Sequence, residues 1–224
     1  MQKRFSIVSR SVTLGCLFFV TASTAFTQSD ILQRGQSGIG GGVGFSANSV
    51  TSMFLITAGY SYNGFLDGSL TYSKANSGEV TQGVITPAVT FYPVKQEDAE
   101  KAPTLGISLG FSHYVKRTTE IVYGPNPDTT VLGAISFPIN QEISIDALKF
   151  GVTAERRLGY WGALFFQPAI GGSISISAAP WEFMVRCGVS IGTRIVNGPI
   201  LIMTPGIEIQ SGVTTFALIM RGIF

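Results

Sequence analysis

Charge is scarce in this chain of 224 residues. Lys, Arg, Asp and Glu supply only 12% of it, against roughly 25% in an average soluble domain. Histidine occurs once, at His113, and cysteine twice, at Cys16 and Cys187. With no grouping of His, Cys and carboxylates, no metal ligand set can be assembled, and no cofactor is expected. Long apolar runs are missing as well. Nothing after the first 25 residues reaches the roughly 20 apolar positions that a membrane-spanning helix needs. Yet the mean hydropathy is +0.35, and neither helical periodicity nor continuous core runs dominate the chain.

The first residues explain part of that apolarity. Lys3, Arg4 and Arg10 form a basic stretch, residues 12–20 are apolar, and Ala22, Ser23, Thr24 and Ala25 are small. This pattern predicts a secretory signal peptide over 1–25, with cleavage as late as 27 as the alternative. Thr13-Leu14-Gly15 before Cys16 is a poor lipid-attachment motif, so a lipid anchor is not expected. Removing the signal takes three basic residues with it and leaves 12 against 13 acidic ones, a net charge of −1. The formal +2 is therefore no argument for nucleic acid. Cys187 is then alone, which excludes an intrachain disulfide. An exported apolar chain without a spanning helix is left with a closed barrel, because backbone groups in lipid must pair within the sheet.

Residues 26–36 read as a polar periplasmic lead-in, and 37–224 as the barrel. From residue 38, segments of about ten residues alternate apolar with small or polar side chains, as membrane strands do. Ten are legible, at 38–47, 52–62, 65–74, 83–94, 104–116, 147–158, 163–177, 181–194, 200–210 and 213–224. The count falls to eight if the first two are misread and rises to twelve if the 117–142 connection spans. The fold class is all-β, an antiparallel transmembrane β-barrel. An even count brings both ends to one side, with the short turns at 63–64, 159–162 and 196–199. The 117–142 loop, whose flanks can extend the neighbouring strands as a hairpin, then lies outside. Pro87 predicts a bulge or local break. The glycines of Gly38-Ile-Gly-Gly-Gly-Val-Gly44 fail the nucleotide-loop spacing and suit close packing at a seam instead. Aromatic girdles are expected from Tyr60, Tyr62, Phe91, Tyr92, Tyr160, Trp161 and Phe224 at one end. Phe111, Tyr114, Trp181, Phe183 and Phe216 supply the other.

The same alternation turns Asp67, Lys149, Glu155, Glu182, Arg186, Arg194, Glu208 and Arg221 toward the lumen. If the turn between the eighth and ninth strands is of odd length and centred near Asn197, Arg186 pairs with Glu208. A packed lumen favours a structural role and a wet one a pore.

Residues 213–224 set Phe216, Leu218, Met220, Gly222 and Phe224 on one face and end on an aromatic side chain. Here the chain resembles the small bacterial outer-membrane β-barrels of porin-family type. The resemblance implies that Phe216, Leu218, Met220 and Phe224 act as a C-terminal signal for the barrel-assembly machinery. It also implies outer-membrane lipid as the surroundings, and the 117–142 loop is the expected place for an extracellular partner. The expected function is a structural or surface-interaction role in the outer membrane without catalysis. The alternatives are a small-solute pore and a lipid-modifying enzyme. Barrel enzymes of this kind commonly use histidine beside a hydroxyl or carboxylate. Ser112 neighbours His113 but points to the other face, and no partner can be placed from sequence, so His113 reads as an interfacial residue.

Overall fold

In the computed structural model, residues 31–49, 51–77, 80–97, 102–125, 134–177 and 181–224 are described. The signal-peptide expectation and Cys16 lie outside them. Eleven strands run in order: β1 (Gly38–Ala47), β2 (Ser52–Tyr62), β3 (Leu66–Ser77), β4 (Val80–Val94), β5 (Thr104–Pro125), β6 (Ala134–Glu155), β7 (Gly159–Trp161), β8 (Leu164–Ser177), β9 (Glu182–Arg194), β10 (Ile200–Gln210) and β11 (Val213–Ile223). Ten of them form an antiparallel ring. β1 pairs with β11, and β6 pairs with β8, which closes it. The three-residue β7 adds only a short edge to β8.

This is a protein turned inside out. Leu70, Ile85, Val89, Ile107, Phe150, Ile170, Leu201 and Met220 point outward and are exposed, while Thr57, Thr71, Thr86, Ser112, Gln167 and Thr204 are buried. An apolar belt running right round a closed sheet is far larger than a soluble monomer tolerates. It is stable in lipid, where the closed ladder leaves no backbone edge unpaired. The chain is a transmembrane β-barrel.

Three strands, β1, β2 and β10, have the limits their alternation predicts. The largest difference is at 117–142. Thr118 pairs with Gln141 and the ladder continues to Pro125 opposite Ala134. The connection is thus mostly a two-stranded extension of β5 and β6 beyond their neighbours, and the expected turn at 124–128 falls largely outside the described residues. The expectation of short turns at one end and long loops at the other holds only through this hairpin. Its end of the barrel also carries the short connections 48–51, 78–79 and 211–212. By the rule that the longer loops face outward, the hairpin end is the outer one.

Pro87 breaks the β4–β5 ladder locally, since no partner pairs there between Ile85–His113 and Ala88–Gly110, but the register does not change. The bulge lies further on, between Phe91 and Val94, around Pro93. Beyond it the phase of β4 reverses, and Lys95 is buried at the inner end. Two of the expected girdle aromatics are corrected by phase. Tyr92 and Tyr114 are buried inside the barrel, whereas Tyr60, Tyr160, Trp161, Trp181, Phe183 and Phe216 are exposed as expected. The glycine run lies at the β1–β11 seam. A Cβ on Gly42 would stand 2.5 Å from the Met220 carbonyl oxygen, and one on Gly44 2.7 Å from the Ile219 side chain.

Candidate functional site: the lumen and its inner mouth

The lumen is built in three parts. In its outer half Met53, Leu55, Val84, Tyr114 and Ile219 form an apolar cluster with Ala75 and Ala147. The middle is polar and charged. Its inner mouth holds a second apolar cluster, in which Ile31 and Leu32 pack against Phe165, Ile200, Ile202 and Ile223.

The middle part contains most of the charges read from the alternation. Asp67, Lys149, Glu155, Glu208 and Arg221 are buried, and Glu182 and Arg186 are half-buried. Arg194 is the exception. It ends β9 and is exposed at the rim, because the lumenal face runs out into solvent there. The turn at 195–199 has odd length, with Arg194 opposite Ile200 and Asn197 at φ 55°. Arg186 accordingly faces Glu208, and Nε and Oε1 are 3.7 Å apart. Lys149 is only 2% exposed. Its ammonium lies 5.3 Å from the centre of the Tyr114 ring and interacts electrostatically with Glu182 and Glu208. Gln210 donates to Glu182, Gln167 donates to Glu155 over 2.7 Å, and Arg221 donates to Ser190 over 3.4 Å. Hydroxyl pairs Thr71–Thr57, Thr86–Ser112 and Ser190–Thr204 tie neighbouring strands at 2.8–3.0 Å. A cavity between Glu155, Arg186, Ser190 and Arg221 measures about 40 Å³, room for a few waters.

The inner mouth is the part that pattern reading missed. Residues 31–36 belong to the stretch that reads as a polar periplasmic lead-in. In the structure they cross the mouth and are fastened at three points, with Ser37 as a fourth just beyond. Arg157 donates to the Ile31 carbonyl over 2.8 Å while its guanidinium stacks 5.4 Å from the Phe165 ring. Gly35 N–H donates to the Asn63 carbonyl, and Asn63 N–H to Ser37 Oγ. Arg34 reaches the Pro93 carbonyl over 3.4 Å. Asn63 and Gly64 both have positive φ, as a tight hairpin turn of this kind demands. Gly64 has a second reason to be glycine, because a Cβ there would run into the Gln33 carbonyl. Two apolar residues, Ile31 and Leu32, were the only sequence signal, too short to register as an element.

His113 lies on the outer wall and its Nδ1 is 2.8 Å from Asp146 Oδ1 across β5 and β6. Asp146 is 33 residues away in sequence, which hid it from local reading. Ser112 points into the barrel and bonds Thr86. Among the described residues, Lys95 and Lys116 are further buried cations. Phe224 closes the seam through two backbone bonds with Ile39, of 2.8 and 3.1 Å. Phe216, Leu218, Met220 and Phe224 all face outward and are exposed, and Cys187 is an exposed free thiol on the same outer surface.

No family model matches this sequence, and no curated protein does. Solved structures do resemble it. The β domain of the Bordetella autotransporter BrkA superposes with a TM-score of 0.53 at 10% identity, covering 84% of this chain and 98% of that one. The translocator domain of the autotransporter NalP from Neisseria meningitidis gives 0.45 at 7% identity, covering 84% and 88%. At 10% identity the likeness to the BrkA domain is one of fold. The chain has the barrel fold of small outer-membrane proteins.

Proposed function

We propose that this protein is a non-catalytic barrel of the bacterial outer membrane, sealed to solutes, with a structural and surface-interaction role. The signal peptide over 1–25 carries it across the inner membrane, and the C-terminal strand presents it to the assembly machinery. The observation that carries this reading is the inner mouth filled by Ile31 and Leu32 against Phe165, Ile200, Ile202 and Ile223. The apolar cluster in the outer half and the charged middle support it further. What projects from the sealed barrel is the β5–β6 hairpin, whose ladder runs to Pro125 and Ala134, and it is the surface offered to an extracellular partner. The separation of Ser112 from His113 on opposite faces argues against a serine-histidine hydrolase.

The test is conductance of the purified barrel in a planar bilayer. Insertion without stable current steps is the expected result. Reproducible steps of one size would favour the small-solute pore, which requires residues 31–36 to leave the mouth.

A further inference from the structure

We propose that the outer wall of β3, β4 and β5 carries a binding site for the phosphorylated headgroup of an outer-leaflet lipid. Gly83 on β4 pairs with Lys74 on one side and Val115 on the other. It leaves a gap in the wall, since a Cβ there would meet nothing nearer than the Tyr72 hydroxyl at 3.9 Å. Around that gap is a cleft of about 310 Å³ bounded by Tyr72, Lys74, Ile85, His113 and Arg117.

The cleft lies where the outer surface changes character. Toward the membrane middle the next exposed side chains are Leu70, Phe111 and Leu148. Toward the outer end they are Asn76, Ser144 and Glu142. That boundary is the headgroup level, where cations and hydroxyl-bearing rings meet lipid phosphate. Two of the polar side chains are held in place, His113 by Asp146 at 2.8 Å and Arg117 through Nε by Glu142 at 2.9 Å. The terminal nitrogens of Arg117 remain available as donors. Lys74 has no hydrogen-bond or ion-pair partner among the described residues, and it is exposed in the wall of the cleft. A cationic rim over an apolar floor of Tyr72 and Ile85 matches a phosphate ester joined to acyl chains. It does not match a free anion, which would gain nothing from the floor.

The experiment uses the barrel in neutral detergent and measures lipid binding by native mass spectrometry. The probes are lipid A with its phosphates, the same lipid after dephosphorylation, and inorganic phosphate as competitor. The phosphorylated lipid is expected to bind about tenfold more tightly than the dephosphorylated one, the scale of one charged hydrogen bond. Lys74→Ala should abolish that difference and Lys74→Arg should keep it. Arg156→Ala, an equal charge loss at the exposed inner rim, should leave it unchanged. Equal binding of the two lipids would overturn the proposal, as would equal losses in Lys74→Ala and Arg156→Ala. Displacement of the lipid by inorganic phosphate at matching concentration would make this a free-anion site and would overturn the lipid assignment. None of these outcomes depends on whether the lumen conducts.

Discussion

Arg186 and Glu208 face each other inside the barrel, each eleven residues from Asn197, with Nε and Oε1 3.7 Å apart. Both side chains are shielded, at 12% and 7% exposure. Glu208→Ala takes that carboxylate from a half-buried guanidinium and is expected to cost up to about 3–5 kcal/mol. A double-mutant cycle with Arg186→Ala, read by urea unfolding in detergent, should give a coupling of roughly 0.5–3 kcal/mol. Strict additivity would show that the two charges do not interact.

The belt predicts a dependence on depth. Ile170, 58% exposed on β8, should cost roughly 2–4 kcal/mol when changed to Arg, the range for a cation at the midplane. Leu158 is as exposed but lies past the end of β6. Leu158→Arg should cost about 0–1 kcal/mol. Equal costs in folding titrations into lipid would mean that the outer face is not ordered by a bilayer.

Phe224 joins two properties that can be separated. Its backbone bonds to Ile39 close the seam and survive substitution, whereas its exposed ring is free to be read by another protein. Phe224→Ala should therefore refold in detergent with little loss of stability, yet yield less heat-modifiable barrel in membranes of cells expressing it. Equal yields in cells would remove the ring from the assembly signal.

The strands were legible because a barrel exposes one face of each to lipid and one to its interior, so a single period of two runs through Gly38–Ala47 and Ile200–Gln210, while Ser52–Tyr62 is more evenly apolar and showed its limits but not its facing. The Arg186–Glu208 register was legible because one turn at Asn197 sets it. Where the two-solvent contrast fades, the pattern fades with it. The extension of β5 to Pro125 and of β6 back to Ala134 pairs outside the apolar belt, where no face needs to be apolar. The bulge near Pro93 reverses the phase that buries Lys95, and nothing local in the sequence marks it above Pro87. The seat of Ile31 and Leu32 depends on a mouth made by strands more than a hundred residues later. The cleft at Gly83 arises from one missing side chain seen across three strands.

The fastening of residues 31–36 gives a local prediction. Gly64→Ala places a Cβ against the Gln33 carbonyl and strains a positive-φ position, costing about 1–2 kcal/mol. The segment should lift, and the amide of Gly35, bonded to the Asn63 carbonyl at 3.1 Å, should exchange with deuterium faster. Amides of β10 should keep their rates. Unchanged exchange at Gly35 would mean that the segment is not held by this turn.

Whether water crosses the lumen is tested most directly by thiol accessibility in the membrane. In a Cys187→Ser background, Ser190→Cys places a thiol beside Thr204, where the hydroxyls are 3.0 Å apart inside the barrel. Val196→Cys, at the 88% exposed inner turn, and Ser211→Cys, at the exposed outer turn, serve as references for the two sides. A charged, membrane-impermeant maleimide should label the thiol at 211 from outside and the one at 196 from inside, and should leave the one at 190 unmodified from either side. Labelling at position 190 at a rate near that of either reference would contradict a closed barrel and make the lumen a water-filled path.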